Sequence, residues 1–195
     1  MSKNIWFSSD FHWRHRAILK YDKRPFTDID VHDEAILEGL ISTLKAGDDF
    51  YFLGDLAWFK TKEDLKMVTS WLFKLRAFCK VNLFFIKGNH DHKDTIRLYE
   101  ELGTFLGEQK RIRIGATDIV LNHFPMRTWN KSHHGSFHLY GHHHGDIEHT
   151  PYGRSMDVAI NIHSYKPINW EDVDMILSAR EPYILEGDHH TPKTQ

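Results

Sequence analysis

The stretch Val81-Asn82-Leu83-Phe84-Phe85-Ile86-Lys87-Gly88-Asn89-His90-Asp91 sets an apolar run directly before a polar cluster. A short apolar run that ends at a glycine turn predicts a buried strand over 81–87. The cluster after it is chemically rich. Asn89 offers a neutral carbonyl oxygen as a metal ligand, and His90 beside it is placed to act on a substrate without being tied to an ion. Four more segments likewise set an apolar run before a polar cluster. Asn4-Ile5-Trp6-Phe7-Ser8-Ser9 precedes Asp10-Phe11-His12, and Phe50-Tyr51-Phe52-Leu53 precedes Gly54-Asp55. Ile119-Val120-Leu121-Asn122 precedes His123, and Phe137-His138-Leu139-Tyr140 precedes Gly141-His142-His143-His144. Any one block reads equally well as a polar strand end. Five in order are hard to assign to chance. Together they supply two Asp, one Asn and several His, the ligand chemistry of a site for two divalent ions. Such pairs of ions hydrolyse phosphate esters.

The intervening segments predict an α/β fold. A helix over 31–46 carries Ile36, Leu37, Leu40, Ile41 and Leu44 on one face, with Asp28 or Asp30 as its cap and Gly47 as its stop. Thr61-Lys62-Glu63-Asp64 starts a helix continued by Leu65, Val68, Leu72 and Leu75. A short helix follows over 93–102. Strands over 110–114 and 118–122 form a hairpin about Gly115, and further strands span 137–140 and 156–160. Asn169 caps a last helix bearing Val173, Ile176 and Leu177. Strand and helix alternate in the first half, and the second half is mostly strand. The expected architecture is one domain over 1–195 with two packed sheets and helices outside. All five clusters fall at strand ends, where α/β folds bind ligands. In extended backbone, residues two apart share a side. Asp10 and His12 would then face one ion with Phe11 turned inward, and His142 and His144 would act together with His143 turned away. A carboxylate can ligate two ions at once, which makes Asp55 the natural bridge.

Composition narrows the function. The 25 Lys and Arg against 27 Asp and Glu leave a formal charge of −2, so no dedicated nucleic-acid-binding surface is expected. A phosphate-ester small molecule or a nucleotide needs only a local positive site. Cys79 is the single cysteine, which excludes an internal disulfide, and it reads as a packed residue. No apolar run is long enough to span a membrane and no signal-peptide pattern opens the sequence, so a cytoplasmic location is expected. Of the 16 His, the pair His189-His190 reads as solvated.

The five clusters resemble the calcineurin-like metallophosphoesterase superfamily, whose signature is D-x-H, G-D, G-N-H-[DE], H and G-H-x-H. The resemblance spans nearly the whole chain. It is closer to the small single-domain phosphoesterases of phage and bacteria, which share features present as His15, Arg24-Pro25-Phe26, Trp129-Asn130, His133, Gly135-Ser136 and Tyr165-Lys166-Pro167. It implies a four-layer α/β/β/α sandwich. It implies one metal on Asp10, His12, Asp55 and His144, and a second on Asp55, Asn89, His123 and His142. His90 would protonate the leaving oxygen, and a hydroxide bridging both ions would attack. The N and O ligand set suits Mn²⁺, Fe or Zn²⁺, and the resemblance favours Mn²⁺.

Two departures bear on the substrate. The segment Gly54-Asp55-Leu56-Ala57-Trp58-Phe59 lacks the further Asp and Arg found in phosphoprotein phosphatases. Trp13-Arg14 stands where relatives of the subgroup often carry Phe-Gly. Arg14, His15, Arg24, Asn130 and His133 are substrate-side candidates, each also readable as a structural hydrogen-bonding residue. No Arg cluster adjoins the motifs, although Arg14, Arg24 and Arg127 could each supply one charge. A phosphodiester of nucleotide or cyclic-nucleotide type, which is a monoanion, is therefore the expected substrate. The rivals are a broad phosphomonoesterase and a non-catalytic metal-binding scaffold, which would not need His90.

Overall fold

A computed structural model describes residues 3–146 and 153–184, so the pair His189-His190 lies outside the described residues. The elements in chain order are β1 (Ile5–Ser8), α1 (Ile18–Tyr21), α2 (Ile29–Thr43), β2 (Asp49–Phe52), α3 (Lys62–Phe73), β3 (Asn82–Phe85), α4 (Lys93–Leu102), β4 (Thr104–Phe105), β5 (Gln109–Ile114), β6 (Thr117–Asn122), β7 (Phe137–Tyr140), β8 (Ser155–Asp157), β9 (Ile168–Asn169) and α5 (Trp170–Ser178). They build two mixed sheets, ordered β4-β3-β2-β1-β9 and β5-β6-β7-β8. In the first, β1 to β4 are parallel and β9 runs antiparallel to β1. In the second, β5 and β6 form the expected hairpin, while β6, β7 and β8 are parallel.

Strand alternation sorts the apolar side chains into two cores. Phe50, Phe52, Leu83 and Phe85 face Ile36 and Leu40 of α2, Val68 and Leu72 of α3, and Leu98 and Tyr99 of α4. Phe7, from the other side of the first sheet, meets Ile119, Leu121, Phe137 and Leu139 of the second, with Val173 and Leu177 of α5 closing the layer. The result is two packed mixed sheets flanked by helices. No helix of the described residues is long and apolar enough to cross a membrane.

Local chemistry sets the boundaries. Asp28, not Asp30, caps α2 by accepting from the Asp30 and Val31 amides. The helix therefore begins at Ile29, and it ends at Thr43, where Leu44 turns extended. Thr61 and Asp64 form a reciprocal capping box on α3, a device of about 1 kcal/mol. The strand expected over 156–160 stops at Asp157. There the Asp157 carboxylate takes the Ala159 amide at 2.8 Å, and Ile160–His163 wind into a 3₁₀ turn. Between the two, the chain leaves β7 after the Val158 amide donates to the Tyr140 carbonyl at 2.8 Å and bridges to the first sheet, where Ala159 pairs with Ser9.

Because β1, β2 and β3 are parallel, the segments leaving them emerge at one edge. The second sheet is locked to that edge by His123, whose Nδ1 donates to the Leu53 carbonyl at 2.8 Å, and by the Val158 carbonyl, which accepts from the Ser9 amide at 3.1 Å.

Candidate metal centre

The five clusters meet at this edge. The route differs from the expected strand alternation. β1 ends at Ser8, and Asp10, His12, Asp55, His142 and His144 all have positive φ, between 50° and 74°. Left-handed backbone is costly for residues with a Cβ, and such strain gathers at functional sites. The side chains converge because tight left-handed turns aim them inward, not because an extended strand does. Two glycines make room. A Cβ on Gly54, itself at φ +97°, would lie 2.4 Å from the Gly88 amide nitrogen, and one on Gly141 would lie 2.3 Å from Asp10 Oδ2.

The donor atoms fall into two groups that could each hold a metal ion. In the first, His144 Nε2 is 3.1 Å from Asp10 Oδ1 and 3.2 Å from His12 Nε2, which is itself 3.8 Å from Asp10 Oδ1. In the second, Asp10, Asp55 and His123 offer atoms within 4.8 Å of one another. Asn89 Oδ1 joins this side, 2.8 Å from His123 Nε2 and 2.9 Å from His142 Nδ1. Asp55 Oδ2 stands between the groups, 3.6 Å from His12 Nε2 and 3.5 Å from His123 Nε2. Donors sharing one ion at bonds near 2.1 Å lie roughly 3–3.5 Å apart, so these spacings fit. Asp10 is close to both groups, a feature that the expected division of ligands lacked.

The remaining atoms of these side chains are tied elsewhere, which orients the free ones. Asp10 Oδ2 accepts from the Ser9 hydroxyl at 2.5 Å and the His142 amide at 3.0 Å, leaving Oδ1 toward the cluster. Asp55 Oδ1 accepts from the His90 amide at 2.8 Å, leaving Oδ2. His144 Nδ1 meets Asp22 Oδ2 at 2.5 Å, and His12 Nδ1 lies 3.4 Å from His15 Nδ1. Partners of this kind fix the orientation and basicity of metal-binding His. Asp91 is buried and receives four hydrogen bonds, from the amides of Asp55, Leu56 and Gly88 and from the Tyr99 hydroxyl. It staples the Gly54-Asp55 turn to the Gly88-Asn89 turn.

The electrostatics favour positive charge at the cluster. Burial works against the charged form of Asp10, yet the His144 hydrogen bond and the neighbouring His charges hold its carboxyl below the usual range. Burial also pulls His144 and His123 down, but bonds to Asp10 and Asp22 lift His144 to about 10, and Asp55 lifts His123 to about 9. His12, buried without such a bond, is pushed well down. Buried carboxylates that draw protons onto adjacent imidazoles are suited to a cation.

A cavity of about 340 Å³ opens over the cluster, with His90 and His15 on its wall. His90 is 37% exposed at its side chain, and its Nε2 is 3.9 Å from Asp55 Oδ2. His15 stacks on Trp58 with ring centroids 5.1 Å apart.

The other substrate-side candidates are corrected. Arg24 is buried, and its guanidinium donates to the Asp10 and Phe11 carbonyls, to Asp22 and to His32 Nε2. Arg14 is held by Asp30, Asp33 and Asp64. Both arginines brace the first loop and neither lines the cavity. Asn130 accepts from Arg111, which pairs with Val120, three residues before His123. Lys131 beside it binds Asp118, five residues before His123 and roughly 16 Å down the strand. Asn130 and His133 therefore sit away from the cluster. Sequence reasoning gave no role to Asp22, Asp91 or Asp157. Asp91 closes the Gly88-Asn89-His90-Asp91 cluster, so its place beside the ligands has a local signal. Asp22 meets a partner 122 residues away and carried no local signal.

No family model matches the chain. An uncharacterized protein of Methanocaldococcus jannaschii is 27% identical over 185 residues, covering 92% of each chain. A solved protein of unknown function from Aquifex aeolicus aligns with a TM-score of 0.69 at 21% identity, over 90% of this chain and 100% of its own, and shares the fold. A nuclease from Pseudomonas putida (TM-score 0.48, 18% identity, 72% of this chain and 61% of its own) and a phosphoesterase from E. coli (0.44, 17%, 81% and 79%) align at a level that decides nothing about this chain.

Proposed function

We propose that this chain is a dimetal phosphoesterase that hydrolyses phosphodiesters of nucleotide type. One observation carries the reading. Asp55 Oδ2 lies within 3.6 Å of a donor nitrogen from each of the two groups, so Asp55 would help to hold both ions. Asp10, His12 and His144 would hold one ion with Asp55, and Asn89, His123 and His142 the other. When bound, the ions would polarise the phosphoryl oxygens and lower the pKa of water at neutral pH. The donor set suits Mn²⁺, with Fe and Zn²⁺ as alternatives.

Hydrolysis adds water across a P–O ester bond. The departing oxygen then needs a proton. His90 faces the cavity without joining either donor group and would deliver that proton from its ring. His15 would position His12 through the ring nitrogen turned away from the cluster. Among the described residues, no Lys or Arg lines the cavity, so these walls offer little to a dianionic monoester. This favours a diester over the phosphomonoesterase alternative. The scaffold alternative gives no reason for His90 to stand at the cavity.

The test is the ratio of kcat/KM for bis-p-nitrophenyl phosphate and p-nitrophenyl phosphate with saturating Mn²⁺. A ratio above one is expected, as is loss of activity with chelator. A clear monoester preference would replace the diesterase reading with the phosphatase. His90→Ala should keep two metals per chain and lose roughly 10²–10⁴-fold in kcat on a diester with a poor leaving group such as a dinucleotide, and less on the p-nitrophenyl esters, whose leaving group departs without a proton. Loss of both metals in that variant would make His90 structural.

A further inference from the structure

Among the described residues, four aromatic rings count as exposed: Tyr21, Phe73, Phe78 and Phe124. Phe73, the last residue of α3, and Phe78 in the turn after it pack on each other edge-on at 6.3 Å. The other two flank the candidate metal centre on different sides. Tyr21 is 71% exposed, ends α1 and lines the cavity next to Asp22, the partner of His144. Phe124 is 46% exposed and touches the rings of His142 and His123, at 4.6 and 5.2 Å. Tyr21 thus stands at the Asp10–His12–His144 group, and Phe124 at the Asn89–His123–His142 group. Neither ring contributes fully to a core, although burial of an aromatic side chain is a large stabilising term.

We propose that Tyr21 and Phe124 are stacking platforms for the two ester arms of the substrate, which is a phosphodiester bearing a planar, base-like ring on each arm. The inference rests on the diesterase reading and narrows it to dinucleoside-phosphate chemistry. With the phosphoryl oxygens over the cluster, the two ester arms run outward from it, and one exposed ring stands on each side to receive a base. Charge does not compete for this role, because among the described residues no Lys or Arg lines the cavity. Aromatic faces accept any base, so the pair selects for planarity and not for base identity.

The experiment is calorimetric titration of metal-loaded His90→Ala protein, which holds turnover down, with dithymidine monophosphate and with dimethyl phosphate. Dimethyl phosphate has the same charge and no rings. Tyr21→Ala and Phe124→Ala should each weaken the dinucleotide by roughly 5- to 150-fold, the range for loss of one stacked base. Tyr21→Phe and Phe124→Tyr should restore it, and dimethyl phosphate should be indifferent to all four changes. Two results would overturn the proposal: dinucleotide affinity unchanged in either alanine variant, or dimethyl phosphate binding as tightly as the dinucleotide. Activity separates the two readings. Ring-dependent binding without hydrolysis by the wild-type enzyme would leave the platforms standing and remove the diesterase. Hydrolysis of bis-p-nitrophenyl phosphate with ring-independent dinucleotide binding would do the reverse.

Discussion

Replacing Asp91 by Asn changes one oxygen for an NH₂ at a site that is 2% exposed. Oδ2 accepts from the Gly88 amide at 2.8 Å, the Asp55 amide at 3.0 Å and the Tyr99 hydroxyl at 2.8 Å, and Oδ1 accepts from the Leu56 amide at 3.0 Å. An Asn has one acceptor oxygen. Set toward the three donors, it leaves its NH₂ against the Leu56 N–H. That strands a buried donor, at about 1–3 kcal/mol, and the three surviving bonds lose their charge assistance. Some of this is offset. Burial and the nearby Asp55 both disfavour the Asp91 charge and raise its pKa, so removing the charge returns part of the desolvation cost. The expected net loss is about 2–4 kcal/mol. Tyr99→Phe removes one donor, keeps the ring that stacks on Phe85 and strands no amide, so it should cost about 1 kcal/mol. Urea unfolding of chelator-treated protein, followed by tryptophan fluorescence, reads both without the added stabilisation of bound metal. An Asp91→Asn variant within about 0.5 kcal/mol of wild type at an unchanged slope would refute the staple, as would a larger loss for Tyr99→Phe.

Elemental analysis after dialysis should show less metal in His142→Ala and in His144→Ala and an unchanged content in His143→Ala. Loss from the His143 variant alone would overturn the ligand set. Asp22→Asn should weaken metal binding by roughly 10–100-fold, because Asp22 orients His144 through its Nδ1; calorimetry with Mn²⁺ reads this, and an unchanged affinity would sink the idea. His138 makes the fold sensitive to acid. It is buried and neutral, with Nδ1 donating to the Val120 carbonyl and Nε2 accepting from the Met126 amide, and burial pushes its pKa from 6.5 to about 4. The folded value lies below the unfolded one, so no stability is lost above about pH 6.5. Between there and about pH 4 the unfolded chain alone takes the proton, which costs the fold about 1.4 kcal/mol per unit as pH falls. Wild type should therefore lose its stability advantage over His138→Gln at about that slope, and a gap that stays constant with pH would remove His138 as the cause.

Much of the fold and the composition of the site are legible along the chain, because they rest on local rules. An apolar run that breaks into a polar cluster reads as a strand end, with a glycine turn marking three of the five, so the five clusters could be placed at strand ends without coordinates. Thr61 with Asp64, and Asn169 before α5, are caps that any helix start would recognise. Ligand chemistry is equally local, since Asp, Asn and His carry their donor atoms with them.

What the tertiary structure alone decides is where each donor points and what holds it there. Alternation suggested that His142 and His144 act together, but the left-handed backbone that aims them came from turns packed against Asp10 and Gly141. Arg14 and Arg24 looked suited to phosphate and are instead consumed by Asp30, Asp33 and Asp64 and by the carbonyls of Asp10 and Phe11. The exposed rings of Tyr21 and Phe124 are ordinary aromatics in sequence and become neighbours of one cavity only when two sheets share an edge. The physical reason is common to these cases. Backbone periodicity and residue type act over a few positions, whereas a buried polar group takes whichever partner the packing of distant segments leaves within hydrogen-bonding reach.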